Sequence, residues 1–178
     1  MKFLKAFLMI IISLVAIIVI GSLFLPKNYS VSRSINIAAS DTLIYNNIAD
    51  FNEFKTWNPW YKMEPTAKLT ISGTSKQANH LYEWVGKETG SGAMKITEVK
   101  PYVLVKIELK FIEPFESIAA TQFDIKNEGN ENKVIWSMRG ENNLISKWMG
   151  VFMSMDDMIG KNFEDGLKSL KEKSEAQN

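Results

Sequence analysis

The chain has no cysteine and a single histidine, His80. Lack of cysteine excludes disulfides, thiol catalysis, thiolate-bound metals and a lipid-modified N-terminal cysteine. One histidine leaves any imidazole-based triad resting on one residue. His80 lies in the strand-like stretch His80-Leu81-Tyr82-Glu83, where a structural or solvated role is the ordinary outcome. Net charge is small as well: 21 Lys and Arg against 20 Asp and Glu give +1. No basic cluster with interleaved aromatics is present, so no nucleic-acid partner is expected. Paired carboxylates are also missing. Asp156-Asp157 fall in a predicted helix, where adjacent residues diverge by about 100°, and Glu83 and Glu98 have no sequence partner for acid–base work. Gly90-Ser91-Gly92 leads into a strand rather than a helix and is not a phosphate loop. These absences predict no catalytic residues, no metal site and no cofactor.

What the sequence does have begins with a long apolar run, Ala6 to Leu25, broken only by Ser13, Gly21 and Ser22. Its length of roughly 20 residues suffices to cross a hydrocarbon core of about 30 Å as a helix. A cleaved signal peptide would have a shorter apolar core and a small-residue cleavage site, which Val19-Ile20-Gly21 matches poorly. The run is therefore expected to remain as a single-pass anchor within residues 1–27. Lys2 and Lys5 favour a cytoplasmic N-terminus and an extracytoplasmic globular part, with Lys27 and Arg33 on the other flank opposing.

Beyond the anchor, 178 residues in all suit one domain, here residues 28–173, with a polar tail at 174–178. Tyr29 to Ile37 alternates with Val31, Ile35 and Ile37 on one face, a first strand. Ser40-Asp41 supplies an N-cap for a short helix bearing Leu43, Ile44 and Ile48. Asp50 to Trp57 predicts a second short helix, ended by Asn58-Pro59. About six further strands follow, separated by turns, with the clearest alternation in Tyr102 to Phe111. A final helix spans Ser146 to Lys173, where Trp148, Phe152, Met155, Ile159, Phe163, Leu167 and Leu170 recur at steps of three and four. The expected class is α+β: an antiparallel sheet whose apolar face is covered by the long C-terminal helix.

Several local patterns carry a resemblance. They are Arg33-Ser34-Ile35-Asn36-Ile37, Ile48-Ala49-Asp50-Phe51, Trp57-Asn58-Pro59-Trp60, and Trp84-Val85-Gly86 ahead of Gly90-Ser91-Gly92. Pro114-Phe115, Val134-Ile135-Trp136 with Gly140, and Gly160 to Leu167 continue the series. In this order, over residues 29–173, the chain resembles the START-related SRPBCC superfamily, and within it the polyketide cyclase/dehydrase and lipid-transport branch. The resemblance implies a helix-grip fold, with a sheet curved around the C-terminal helix and a cavity between them. It implies no activity, because that family has no universal catalytic residue.

Alternation and the helical stripe then nominate the cavity wall: Tyr82, Trp84, Met94, Ile96, Val105, Ile107, Leu109, Phe111, Phe123, Trp136, Met138, Trp148, Phe152 and Met155. Trp57 is added at the cavity mouth, where the aromatics of Trp57-Asn58-Pro59-Trp60, Trp60 included, could line the opening or touch a membrane interface. The leading expectation is a hydrophobic small molecule or lipid bound there without catalysis. A cyclase or dehydrase is the second reading, with Tyr82 and Thr121 the only inward polar groups available to it. A protein-interaction module with a filled core is the third.

The anchor can be checked directly. Membranes washed with alkaline carbonate are expected to retain the full-length chain; recovery of a soluble protein beginning near Ser22 would overturn the anchor.

Overall fold

Seven strands alternate apolar and polar side chains, and that period of two decides the architecture. The computed structural model describes residues 2–178. Met1, the first residue of the expected anchor, and the side chain of Lys2 lie outside the described residues. The strands are β1 (Asn28–Ile37), β2 (Lys68–Ser72), β3 (Leu81–Val85), β4 (Ser91–Lys100), β5 (Leu104–Glu113), β6 (Ser117–Asn127) and β7 (Asn132–Glu141). They form one antiparallel sheet in the order β1-β7-β6-β5-β4-β3-β2, so a meander from β2 to β7 is completed by the first strand. The register sets Trp136 opposite Phe123, Met138 opposite Thr121, Ile107 opposite Thr121, Met94 opposite Leu109 and Trp84 opposite Gly92. One continuous apolar face results.

The helices are α1 (Lys2–Ser22), α2 (Asp41–Ala49), α3 (Phe51–Trp57), α4 (Pro59–Met63), α5 (Leu144–Phe152) and α6 (Met155–Ala176). The chain is α+β, with a seven-stranded antiparallel sheet and a C-terminal helix. Within α1, Phe3–Ser22 is long and apolar enough to be a membrane span or a signal sequence. Ser40 caps α2 as its spacing predicts, accepting the Leu43 N–H.

Two expectations need correction and a third needs an addition. The final helix is two helices rather than one. Ser154 starts α6 with a capping box, its hydroxyl accepting from the Asp157 N–H while the Asp157 carboxylate accepts from the Ser154 N–H. Asp156 and Asp157 are thus first-turn residues beside the positive end of a helix, not mid-helix residues. Secondly, Asn58-Pro59 ends α3 as expected, and Pro59 also opens α4, since a proline lacking an N–H is well placed at a first helical position. Thirdly, the tail at 174–178 is helix as far as Ala176, and Ser174 is fully buried, accepting a hydrogen bond from Asn47 Nδ2 at 3.1 Å.

α6 lies close over the sheet because two positions lack a side chain. A Cβ on Gly166 would come within 2.8 Å of the Trp136 ring and 3.1 Å of Pro59. One on Gly160 would collide with the Arg33 guanidinium. Arg33, on β1, uses that gap to pair with Asp156 through both terminal nitrogens (2.8 and 2.9 Å) and with Glu164 through Nε (2.6 Å). The paired guanidinium holds the Asp156 carboxyl below the usual carboxylate range.

Two buried polar groups fix the loops. The His80 ring is 1 % exposed and stacks on Phe51 at 4.7 Å. Its Nε2 accepts from the Phe51 N–H (3.0 Å), so Nδ1 carries the proton that Ser72 O accepts. Glu64, just past α4, accepts from the N–H groups of Lys87, Glu88 and Thr89 and from the Thr89 hydroxyl at 2.7–3.1 Å. Those donors favour the charged form and hold its carboxyl down at about 2, from an ordinary 4.5.

Two measurements test these points. Gly166→Val is expected to lower folding stability by about 1–3 kcal/mol through overpacking against Trp136. Gly150→Ala, where nothing lies within 4 Å of an added Cβ, should instead raise it by up to about 1 kcal/mol. Because the Glu64 carboxyl is depressed on folding, its contribution is full above pH 4.5 and is lost as pH falls toward 2. Chemical denaturation should therefore find Glu64→Gln less stable than the parent at neutral pH, with the gap closing across that acid window; a constant gap would refute the role.

Candidate functional site: an apolar cavity under the last helix

The sheet's apolar face is filled at one end and hollow at the other. At the filled end, α2, α3 and the later turns of α6 bring Ile44, Ile48, Phe51, Phe54, Trp57, Leu167 and Leu170 onto the strands, all 2 % exposed or less. At the other end, cover comes only from the first turns of α6, with Met155 and Ile159, and from the short α4 with Trp60 and Tyr61. A cavity of about 200 Å³ remains between them.

Of the residues expected on its wall, Tyr82, Trp84, Met94, Ile107, Leu109, Phe111, Phe123, Trp136, Met138 and Met155 line it. Trp57, Ile96 and Val105 do not. Each faces the same side of the sheet or helix layer but belongs to the filled end, where it is 1 % exposed or less. Trp57 donates Nε1–H to Asn47 O at 2.8 Å and packs edge-on against Phe123 and Trp136, forming the base beneath the cavity. Trp148 and Phe152 are displaced further, because the break at Ser154 takes them off the α6 stripe. Trp148 packs on α1 at Gly21, and Phe152 is 89 % exposed.

Trp60 of the Trp57-Asn58-Pro59-Trp60 motif does line the wall, which also holds residues the sequence reading left out, among them Tyr29, Asn58, Tyr61, Leu69 and Thr89. Tyr29 shares the parity of Val31 and could have been nominated by it; its hydroxyl occupies the space that a Cβ on Gly140 would take. Asn58, Trp60 and Tyr61 come with α4, whose start was hidden behind its proline. Trp84 lies across Gly92, where a larger residue would collide with the indole, and donates Nε1–H to Thr89 O at 3.2 Å. Glu64 holds the loop bearing Thr89, so a carboxylate outside the cavity positions part of its rim.

Aromatic rings dominate the wall and brace one another. Trp136 is stacked between Phe163 (4.1 Å between centroids) and Phe123 (4.9 Å), with Trp60 meeting it edge-on at 5.9 Å. Its Nε1–H donates to the Thr121 hydroxyl, which itself donates to Ser137 O. Thr121 is thereby committed within the sheet. Burial, with a smaller contribution from Tyr61, pushes the Tyr82 phenol up to about 12 against an opposing hydrogen bond with Asn58. At neutral pH Tyr82 keeps its proton and offers a donor, not a base. Among the described residues no three His, Cys, Asp or Glu side chains converge on a common point. Chemically, this is a place where apolar surface leaves water beside one or two polar groups.

No family model matches this sequence, and no curated relative matches it. Solved structures do resemble it in shape. An uncharacterised protein from Rhizobium leguminosarum superposes with a TM-score of 0.61 at 11% identity, over 84% of this chain and 96% of that one. The Aha1 dimer from Colwellia psychrerythraea gives 0.58 at 19% identity, over 83% and 96%. DynU16, from the dynemicin biosynthetic locus, gives 0.57 at 8% identity, over 80% of this chain and 46% of that chain. At such identities the likeness establishes the fold alone, and that fold is compatible with the helix-grip type.

Proposed function

We propose that this chain is a membrane-anchored, START-like helix-grip domain that binds a hydrophobic small molecule or lipid without transforming it. The observation that carries the reading is the cavity of about 200 Å³ between the sheet and α6, walled almost throughout by aromatic and aliphatic side chains. Side chains that line an incompletely filled apolar space lack contact partners on that side. An apolar occupant restores the missing contacts and removes its own surface from water. The filled-core interaction module fits this interior poorly. The cyclase reading asks for a base aimed at the substrate, and neither committed Thr121 nor protonated Tyr82 supplies one. Tyr82 and Asn58 instead suit a hydroxyl or carbonyl at one end of the occupant.

Membership of the SRPBCC superfamily, in its polyketide cyclase/dehydrase and lipid-transport branch, belongs to the same proposal. The fold neighbours and the ordered motifs from Arg33 to Leu167 support it. The apolar run of residues 6–25, most of it in α1, acts as the anchor, with the domain on the extracytoplasmic side.

The test is recovery of the occupant. Organic extraction of purified full-length protein, followed by mass spectrometry, is expected to yield an apolar molecule in near-stoichiometric amount. Leu109→Trp should abolish its recovery with little loss of stability, because the cavity has room for the added ring. A protein that yields no apolar molecule and loses about 1–3 kcal/mol on this substitution, as overpacked cores do, would sink the container reading.

A further inference from the structure

α5 is a helix without a core. None of its residues is buried. At 100° per residue, Leu144, Ile145, Trp148, Met149, Val151 and Phe152 fall within one arc of about 160°, with Ser146, Lys147 and Gly150 opposite. Lys147 is the only charged side chain between positions 142 and 155. Beside α5, Phe115 in the β5–β6 connection is 62 % exposed and shares a groove with Ile145, Met149 and Val151. A contiguous apolar surface of this kind on a soluble face marks an interaction site.

α1 identifies what covers it. The Trp148 indole packs where a Cβ on Gly21 would lie 2.9 Å away, and its Nε1–H donates to Ile18 O at 3.2 Å. Lys147 Nζ donates to Ser22 O at 3.3 Å. The connection after α1 is strapped to the start of the α5 segment: the Asn142 N–H donates to Lys27 O at 2.8 Å and its side chain to Pro26 O at 3.2 Å. Ile18 lies four residues, or about 6 Å, inside the end of the span at Ser22. Trp148 therefore sits at the depth of the membrane interface, where indoles concentrate.

We propose that α5, together with Phe115, lies in the bilayer interface and holds the domain against the membrane from which α1 emerges. The proposal rests on the reading of α1 as an uncleaved span. It specifies a lipid surface, entered by apolar insertion in the manner of an interfacial helix buried about 5–10 Å. The groove under α5 and the ligand cavity share Tyr29, Ser117 and Met155 as lining residues. The cavity consequently has lipid as its neighbour, and bilayer-dissolved apolar molecules as its source.

The cysteine-free sequence makes the experiment clean. Phe152→Cys and Phe115→Cys, each carrying one environment-sensitive dye, are compared in full-length protein reconstituted into phosphatidylcholine vesicles. Asn130→Cys, in the β6–β7 turn, is the reference; it lies beyond the far end of β6, about 34 Å from Ser117 at 3.4 Å per residue. Dyes at 152 and 115 should emit to the blue and be quenched several-fold more than the reference by lipids spin-labelled high on the acyl chain, with no dependence on salt. Equal quenching at all three positions in carbonate-resistant protein overturns the docking while leaving the anchor intact. Release by carbonate overturns the anchor, and the docking with it. A blue shift without lipid quenching that grows with the protein-to-lipid ratio assigns the surface to a second copy and also overturns the proposal.

Discussion

The stacking of Trp136 between Phe123 and Phe163 sets the spacing of the whole domain. Trp136 rises from β7, Phe163 descends from α6, and their ring planes lie 15° apart with centroids at 4.1 Å. Gly166 gives the indole the room that any side chain would remove. Each such aromatic pair contributes only about 0.5–1.5 kcal/mol beyond its buried area. Its geometric effect is larger, because a helix held at one stacking distance on a twisted sheet cannot touch it equally everywhere.

From that point the two ends of the sheet diverge. Toward the C-terminus of α6, two helices fill the space and the large inward side chains from Ile44 to Trp57 are sealed. Toward its N-terminus, the helix is held from outside by Arg33 rather than from inside by bulk. Arg33 takes two carboxylates across Gly160, and the space beneath Met155 and Ile159 stays open. The cavity is thus a consequence of where helices were not placed, and its rim is kept by a carboxylate, Glu64, that never enters it.

The sequence carried the faces well and the positions along them poorly. Alternation in β5 or β7 says which side chains point inward, and every strand nominated that way is present. Parity cannot say whether α2 and α3 lie overhead, so Ile96 and Val105 were grouped with Leu109 although they belong to the sealed end. The stripe from Trp148 to Leu170 looked continuous because three- and four-residue steps can run across a break by chance. Ser154-x-x-Asp157 was the available signal of a new helix. Glu64 left no such trace: its partners are backbone amides more than twenty residues later, created only when β2 and β3 pair.

The break at Ser154 divides the C-terminal region into two kinds of selective constraint. In α6 a substitution is judged by shape, since Gly160, Phe163 and Gly166 each face a fixed atom of the sheet or its neighbours. In α5 no residue has a fixed partner of that sort apart from Trp148 and Lys147, so most positions are judged by hydropathy alone. Homologous chains would then drift freely in α5 among leucine, isoleucine, valine, methionine and phenylalanine while α6 keeps its identities, and the two rates of change would meet at one serine.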